Sequence, residues 1–201
     1  MTFGDDSRAE FDRQVDTLLR KGYPELAGLS ADAFVERLSP LKERLGGADR
    51  FLIVVDSRLV AAERAIAQVE LAGKSGFTSM EPGDLERFVP IDGLGVPDSA
   101  AYLLSAVDPG SATLNVTPDD ALELIEQEGR SPLTLEEGLA FVTHYPEVLR
   151  TENCFSMLGS RCGDRRVTAL WVSARRPRLG WCWAGNPHTW LGSASCAGRV
   201  A

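Results

Sequence analysis

Apolar positions recur at helical spacing through the first three quarters of the chain and at every second residue in the last quarter, and this change of period organises everything else. Phe11, Val15, Leu18 and Leu19 follow the spacing i, i+4, i+7, i+8, which predicts an amphipathic helix near residues 7–21, stopped by Gly22 and Pro24. Ser30 is suited to cap a second helix with Phe34, Val35 and Leu38 on its apolar stripe. Ser39-Pro40 should end it and open a short turn to Leu45, before Gly46-Gly47. The run Phe51 to Val55 reads as a buried strand, and Leu59, Ala62, Ile66 and Val69 mark one side of a helix over about residues 58–72, a β-then-α step. A turn at 73–76, a short strand at 77–80, a one-turn helix around 84–88 and a strand at 102–107 closed by Asp108-Pro109-Gly110 complete this stretch.

Two helix starts follow in quick succession. Thr117-Pro118-Asp119-Asp120 offers a cap, a first-turn proline and acids at the positive end of a helix over 118–128, which Leu122 and Ile125 continue to Gly129. Thr134 with Glu137 forms a capping box for a helix over 135–145, whose Leu135, Leu139 and Val142 keep the apolar spacing until Pro146. From Cys154 the period becomes two. Val167, Ala169 and Trp171 alternate with Thr168, Leu170 and Val172; after an Arg-rich tip at 174–178, Trp181 and Trp183 alternate with Gly180, Cys182 and Ala184. A third strand at 154–158 would extend this hairpin into an antiparallel meander. The expected fold is α+β in one domain, 1–201: a helical N-terminal section (1–48), an α/β body with a small central sheet (49–153), and a Trp-, Cys- and Arg-rich β segment (154–201).

Charge adds a division that hydropathy does not show. The chain carries 21 basic and 29 acidic residues, a net −8, which argues against a protein that coats duplex nucleic acid by bulk phosphate neutralisation. Residues 154–201 nevertheless hold seven Arg against the single acid Asp164, leaving 14 basic and 28 acidic residues in the preceding part. All four Trp and all four Cys lie in that basic segment. No apolar run is long enough for a membrane span, and the acidic MTFGDDSRAE start lacks the pattern of a secretory signal, so a cytoplasmic protein without a membrane partner is expected.

Candidate chemistry gathers in the same segment. Trp171, Trp181, Trp183 and Trp190 supply rigid stacking faces, and Arg161, Arg165, Arg166, Arg175, Arg176 and Arg178 supply forked donors for phosphate or carboxylate. The competing reading puts Trp181 and Trp183 in the core and pairs the arginines with the acidic body. The stretch Gly180 to Trp190, GWCWAGNPHTW, is expected to form the lip of the site: small residues on one strand face, a turn at Asn186-Pro187, then His188 and Trp190. The ligand-binding candidates are therefore Trp181, Trp183, His188, Trp190, Arg161 and Arg166, serving an anionic ligand, a nucleic-acid strand or a protein partner. The alternative is a thiol- or zinc-dependent enzyme on Cys182 and His188, although no Cys-x-x-Cys is present and no cofactor is otherwise implied. His144 suits a positive group at a helix end. Gly73-Lys74-Ser75 lacks the earlier glycine of a phosphate loop, since Gln68 stands there, and reads instead as a helix terminus.

The strings GRSPLTLEEGLAFVTHYPEVL and LGSRCGDRRVTALWVSARRPRLGWCWAGNPHTWLGSASC resemble a family of uncharacterised actinobacterial proteins, a domain of unknown function. The likeness extends from the Tyr23-Pro24-Glu25-Leu26 region to the end and is strongest from Gly129. It implies a bacterial cytoplasmic origin and brings no activity, cofactor or catalytic residue.

Overall fold

The structure, a computed structural model, describes residues 3–45, 50–81 and 83–201; the turn expected at Gly46-Gly47 lies outside them. Three helices open the chain: α1 (Phe3–Arg20), α2 (Tyr23–Leu26) and α3 (Ala31–Lys42). Helix α1 starts before the expected residue 7 and buries Phe11, Val15 and Leu18. In α3, Ser30 caps as expected, its hydroxyl accepting from the Ala33 N–H. The helix does not stop at Pro40. Proline has no N–H for the Glu36 carbonyl, but the Ser39 hydroxyl donates to that oxygen at 2.9 Å and the helix runs on to Lys42. This extra turn makes the buried stripe Phe34, Leu38 and Leu41, whereas Val35 is 37% exposed and does not belong to it.

Strand β1 (Phe51–Val55) is buried at every position. Helix α4 (Ala62–Gln68) is shorter than the expected 58–72 at both ends. At its start, Asp56 folds the chain locally, its carboxylate accepting from the Arg58 N–H and its carbonyl from those of Leu59 and Val60. At its end, Lys21 Nζ donates to the Gln68 carbonyl at 2.7 Å. Gly73 therefore terminates no helix. Ala72 and Gly73, at φ 51° and 72°, make the two-residue turn of a small hairpin that pairs Glu70–Leu71 with Lys74–Ser75.

The β-then-α step builds no parallel unit. Strand β1 pairs antiparallel with β2 (Ala101–Ser105), Ile53 opposite Leu103, and β2 pairs antiparallel with the terminal strand β7 (Gly198–Val200). Helix α5 (Pro118–Gln127) and helix α6 (Leu135–His144) begin at Thr117 and Thr134 as their caps require, with the complete capping box at Thr134 and Glu137. The meander forms with the expected order: β3 (Cys154–Arg161), β4 (Arg166–Ser173) and β5 (Arg176–Trp183), each antiparallel to the next. Ala174 and Arg175 make its tight tip at φ 50° and 61°. The short β6 (Leu191–Ser193) adds parallel to β3, Phe77–Thr78 adds parallel to β5, and Val89–Pro90 pairs with the far end of β3. The fold is thus α+β, helical at the start and stranded at the end.

Helix α6 lies between the β1–β2–β7 sheet and the meander sheet. Residues Leu135 and Glu137 through His144 are all buried, so its capping-box face and its opposite face both meet core. One hydrophobic cluster runs from Phe11 and Phe34 through Ile53, Leu104 and Val142 to Met157, Leu170 and Leu179. The outer edge of β1 is closed by side chains rather than by a further strand. Gln14 Nε2 donates to Phe51 O at 2.9 Å, Gln14 Oε1 accepts from Ile53 N–H at 2.8 Å, and His144 Nε2 donates to Ile53 O at 3.0 Å.

His144 is therefore not a positive helix-end group. Complete burial pushes its pKa down from 6.5 to about 4, and the ring is neutral in the folded protein. Between these values the unfolded chain binds a proton that the native state refuses, so stability rises with pH from about 4 to about 6.5 and then levels. The full effect is about 3 kcal/mol. Urea unfolding at pH 5 and pH 7.5 should show this loss on acidification, and His144→Gln should remove most of the difference.

Candidate functional site

Register decides which aromatic side chains meet. Directly paired strand residues share a sheet face, and neighbours along a strand alternate. Trp181 pairs with Thr168 and Trp183 with Arg166, while Trp171 pairs with Arg178 and Ala169 with Gly180. The four Trp are consequently not one surface. Trp181 and Trp183 sit on one face, 37% and 47% exposed, their rings 4.9 Å apart and edge-on to each other. Neither belongs to the core. Trp171 and Trp190 pack on the other face with Cys154, Ala169, Cys182 and Leu191.

Between these lies a cleft of about 250 Å³. Ala169, Cys182 and Leu191 form its apolar base, Trp171, His188 and Trp190 line it, Trp181 and Trp183 of β5 line it as well, and Asn186 adds an exposed side chain. The His188 and Trp190 rings lie 5.3 Å apart and tilted. Backbone hydrogen bonds hold the loop that carries them: Asn115 N–H to His188 O and Cys154 N–H to Trp190 O, both 2.8 Å, and Asp119 N–H to Ala184 O at 3.0 Å. Such pinning prepays part of the ordering cost of binding.

The space beside Gly180 is filled by the protein itself. A Cβ there would stand 2.4 Å from the Trp171 ring, so that ring, and not a ligand, covers the small residue. The arginines are also largely engaged. Arg166 pairs with Asp84 at 2.8 Å and Asp164 at 2.9 Å and lies over the Phe88 and Trp181 rings. Arg178 is stacked between Phe77 and Trp171 and donates to Ser79 Oγ; Arg176 lies over Phe77 and donates to Ser75 O. The hairpin tip is thereby latched to residues 75–79. Arg161 is half-buried, and its Nη1 has no hydrogen-bond partner among the described residues. Among the described residues, no arginine lines the cleft.

The thiols do not have the character of nucleophiles. Burial pushes the Cys182 thiol up to about 11, against a smaller opposing pull from Arg161, and this keeps it protonated at neutral pH. Cys182 and His188 do share the cleft, yet among the described residues no three His, Cys, Asp or Glu side chains converge as a metal would require. Sequence reasoning left Trp171, Ala169 and Leu191 out of its ligand-binding set, as it did Asn186. The turn signal of Asn186 was legible, whereas its position beside Trp171 depends on the meander register.

The model of a family of unknown function, DUF5701, matches residues 17–201. The chain belongs to DUF5701. No curated protein and no solved structure matches it. The family match spans the DUF5701 chain from late in α1 to its end, the cleft included. Among the described residues of this DUF5701 chain, no helix is long and apolar enough to cross a membrane.

Proposed function

We propose that this chain is a non-enzymatic binding or regulatory protein, and that its working surface is the cleft between Trp171 and the His188–Trp190 pair, which takes the flat ring of an anionic small molecule. The observation that carries this reading is the cleft itself: three ring-bearing side chains around an apolar base, Trp171 on strand β4 and His188 and Trp190 on a loop pinned by three backbone hydrogen bonds. A neutral aromatic lining favours an uncharged planar group by stacking and apolar burial. Arg178, 5.1 Å from the Trp171 ring and without an ion pair among the described residues, puts positive charge near the cleft for the anionic part, whereas the exposed Arg165, against Gly185, is paired with Asp119 at 3.6 Å. A nucleic-acid strand fits less well, because it needs successive stacking platforms along a basic groove, and here the Trp side chains are divided between two sheet faces.

The test is a titration of intrinsic Trp fluorescence with AMP, flavin mononucleotide and indole-3-acetate. At least one should bind, and Trp190→Ala should weaken it roughly tenfold or more, as the loss of one stacking contact worth about 1–3 kcal/mol requires. His188→Ala should act in the same direction, with unfolding transitions of both variants close to that of the parent. Variants that unfold would instead assign the segment to the core, and binding that survives both substitutions would mean that the ligand binds outside the cleft and overturn this reading.

A further inference from the structure

Well away in sequence from the aromatic cleft, residues 56–58, the 85–98 segment and the first turn of α6 enclose two grooves of about 580 and 310 Å³. Both are lined by Ser57, Arg58, Val89, Pro90 and Glu136, so they adjoin along these five residues and form one depression with two arms. Accessible apolar walls run along it: Val89 and Pro90 where the arms meet, Ala61 on one arm, and Ile91, Leu94 and Val96 on the other. Carboxylates are spread along its length: Asp56, Asp92 and Asp98 on one arm, Glu63 and Glu86 on the other. Arg58 is the one basic residue lining it among the described residues, and its guanidinium is already committed to Asp56 at 2.8 Å and Asp98 at 2.6 Å.

We infer that this depression binds an organic cation with an aliphatic body, an alkylamine or diamine, whose ammonium group pairs with Glu136. Three features select that chemistry. The lining is acidic in excess while its arginine is spent, so charge complementarity calls for a cation. Acidic side chains do not converge in a set fit for a metal ion among the described residues, and separated carboxylates suit a ligand whose charges are separated too. Apolar walls offer nothing to a hydrated inorganic ion, but they accept methylene groups. Glu136 lines both grooves, with Ser57 and Thr134 as hydrogen-bond partners and no ion pair among the described residues; burial, with Asp56 nearby, holds its carboxyl above the usual range.

Calorimetry on the full chain tests this with 1,5-diaminopentane and spermidine as probes, hexane-1,6-diol as the neutral isostere and magnesium chloride as the inorganic control. The amines should bind, with the diol at least tenfold weaker, and Glu136→Gln should weaken the amines at least tenfold. Val89→Arg gives a second arm: Val89 is 57% exposed, so the change sets a cation on the groove wall outside the core, and it should also block amine binding. Trp190→Ala should leave it unchanged, which separates this site from the aromatic cleft. The inference is overturned if the diol matches the diamine, if equal magnesium displaces the amines, or if Glu136→Gln and Val89→Arg bind normally.

Discussion

Replacing Arg199 by Ala is expected to lower the unfolding free energy by about 3–5 kcal/mol, the characteristic cost of leaving one member of a buried ion pair alone. Arg199 is 3% and Glu137 0% exposed at the side chain. The guanidinium donates through Nε to Glu137 Oε1 and through Nη2 to Oε2, and its remaining N–H groups reach Leu94 O, Ser131 Oγ and Pro132 O. Glu137 in turn accepts from the Tyr102 hydroxyl and the Thr134 N–H. Every charge in this network has a partner, and one three-residue terminal strand supplies the cation. Without it the carboxylate stays buried between two sheets with only neutral donors. Urea denaturation of Arg199→Ala measures the effect. Adding Glu137→Gln to that variant should recover part of the loss, because the uncompensated charge is then gone. A loss below about 1 kcal/mol would show that the pair is no better than an exposed salt bridge.

Gln14→Leu is expected to cost about 2–4 kcal/mol. The Gln14 amide stands in for a neighbouring strand, accepting from the Ile53 N–H and donating to the Phe51 carbonyl at the buried outer edge of β1. An apolar side chain of similar size keeps the packing but orphans both backbone groups, each worth about 1–3 kcal/mol when buried without a partner. Local opening should rise as well. Amide hydrogen exchange at Ile53 should accelerate more than at Leu52, which pairs directly with Leu104 across the β1–β2 ladder. Equal acceleration at both would mean that the strand loosens as a whole rather than at its edge.

What the chain dictates by itself is what depends on nearest neighbours. The caps at Ser30, Thr117 and Thr134, the β1 run Phe51–Val55 and the two-residue period of the meander are each written within one or two turns of chain, and each formed where it was expected. Local rules erred where a side chain from nearby or afar supplied what the backbone lacked: Ser39 carries α3 through Pro40, Lys21 ends α4 at Gln68, and Asp56 delays that helix's start. The site was half legible. Its residues stood out by composition, since Trp171, Cys182, His188 and Trp190 cluster in the basic segment. Their division between sheet faces, the latching of Arg176 and Arg178 by residues 75–79, and the meeting of Glu137 with Arg199 across 62 positions were set by strand register and layer packing. A one-residue change of register turns every side chain of a strand to the other face. Composition and spacing can therefore nominate the aromatic and acidic groups of this protein, and only the tertiary fold decides which of them share a cleft.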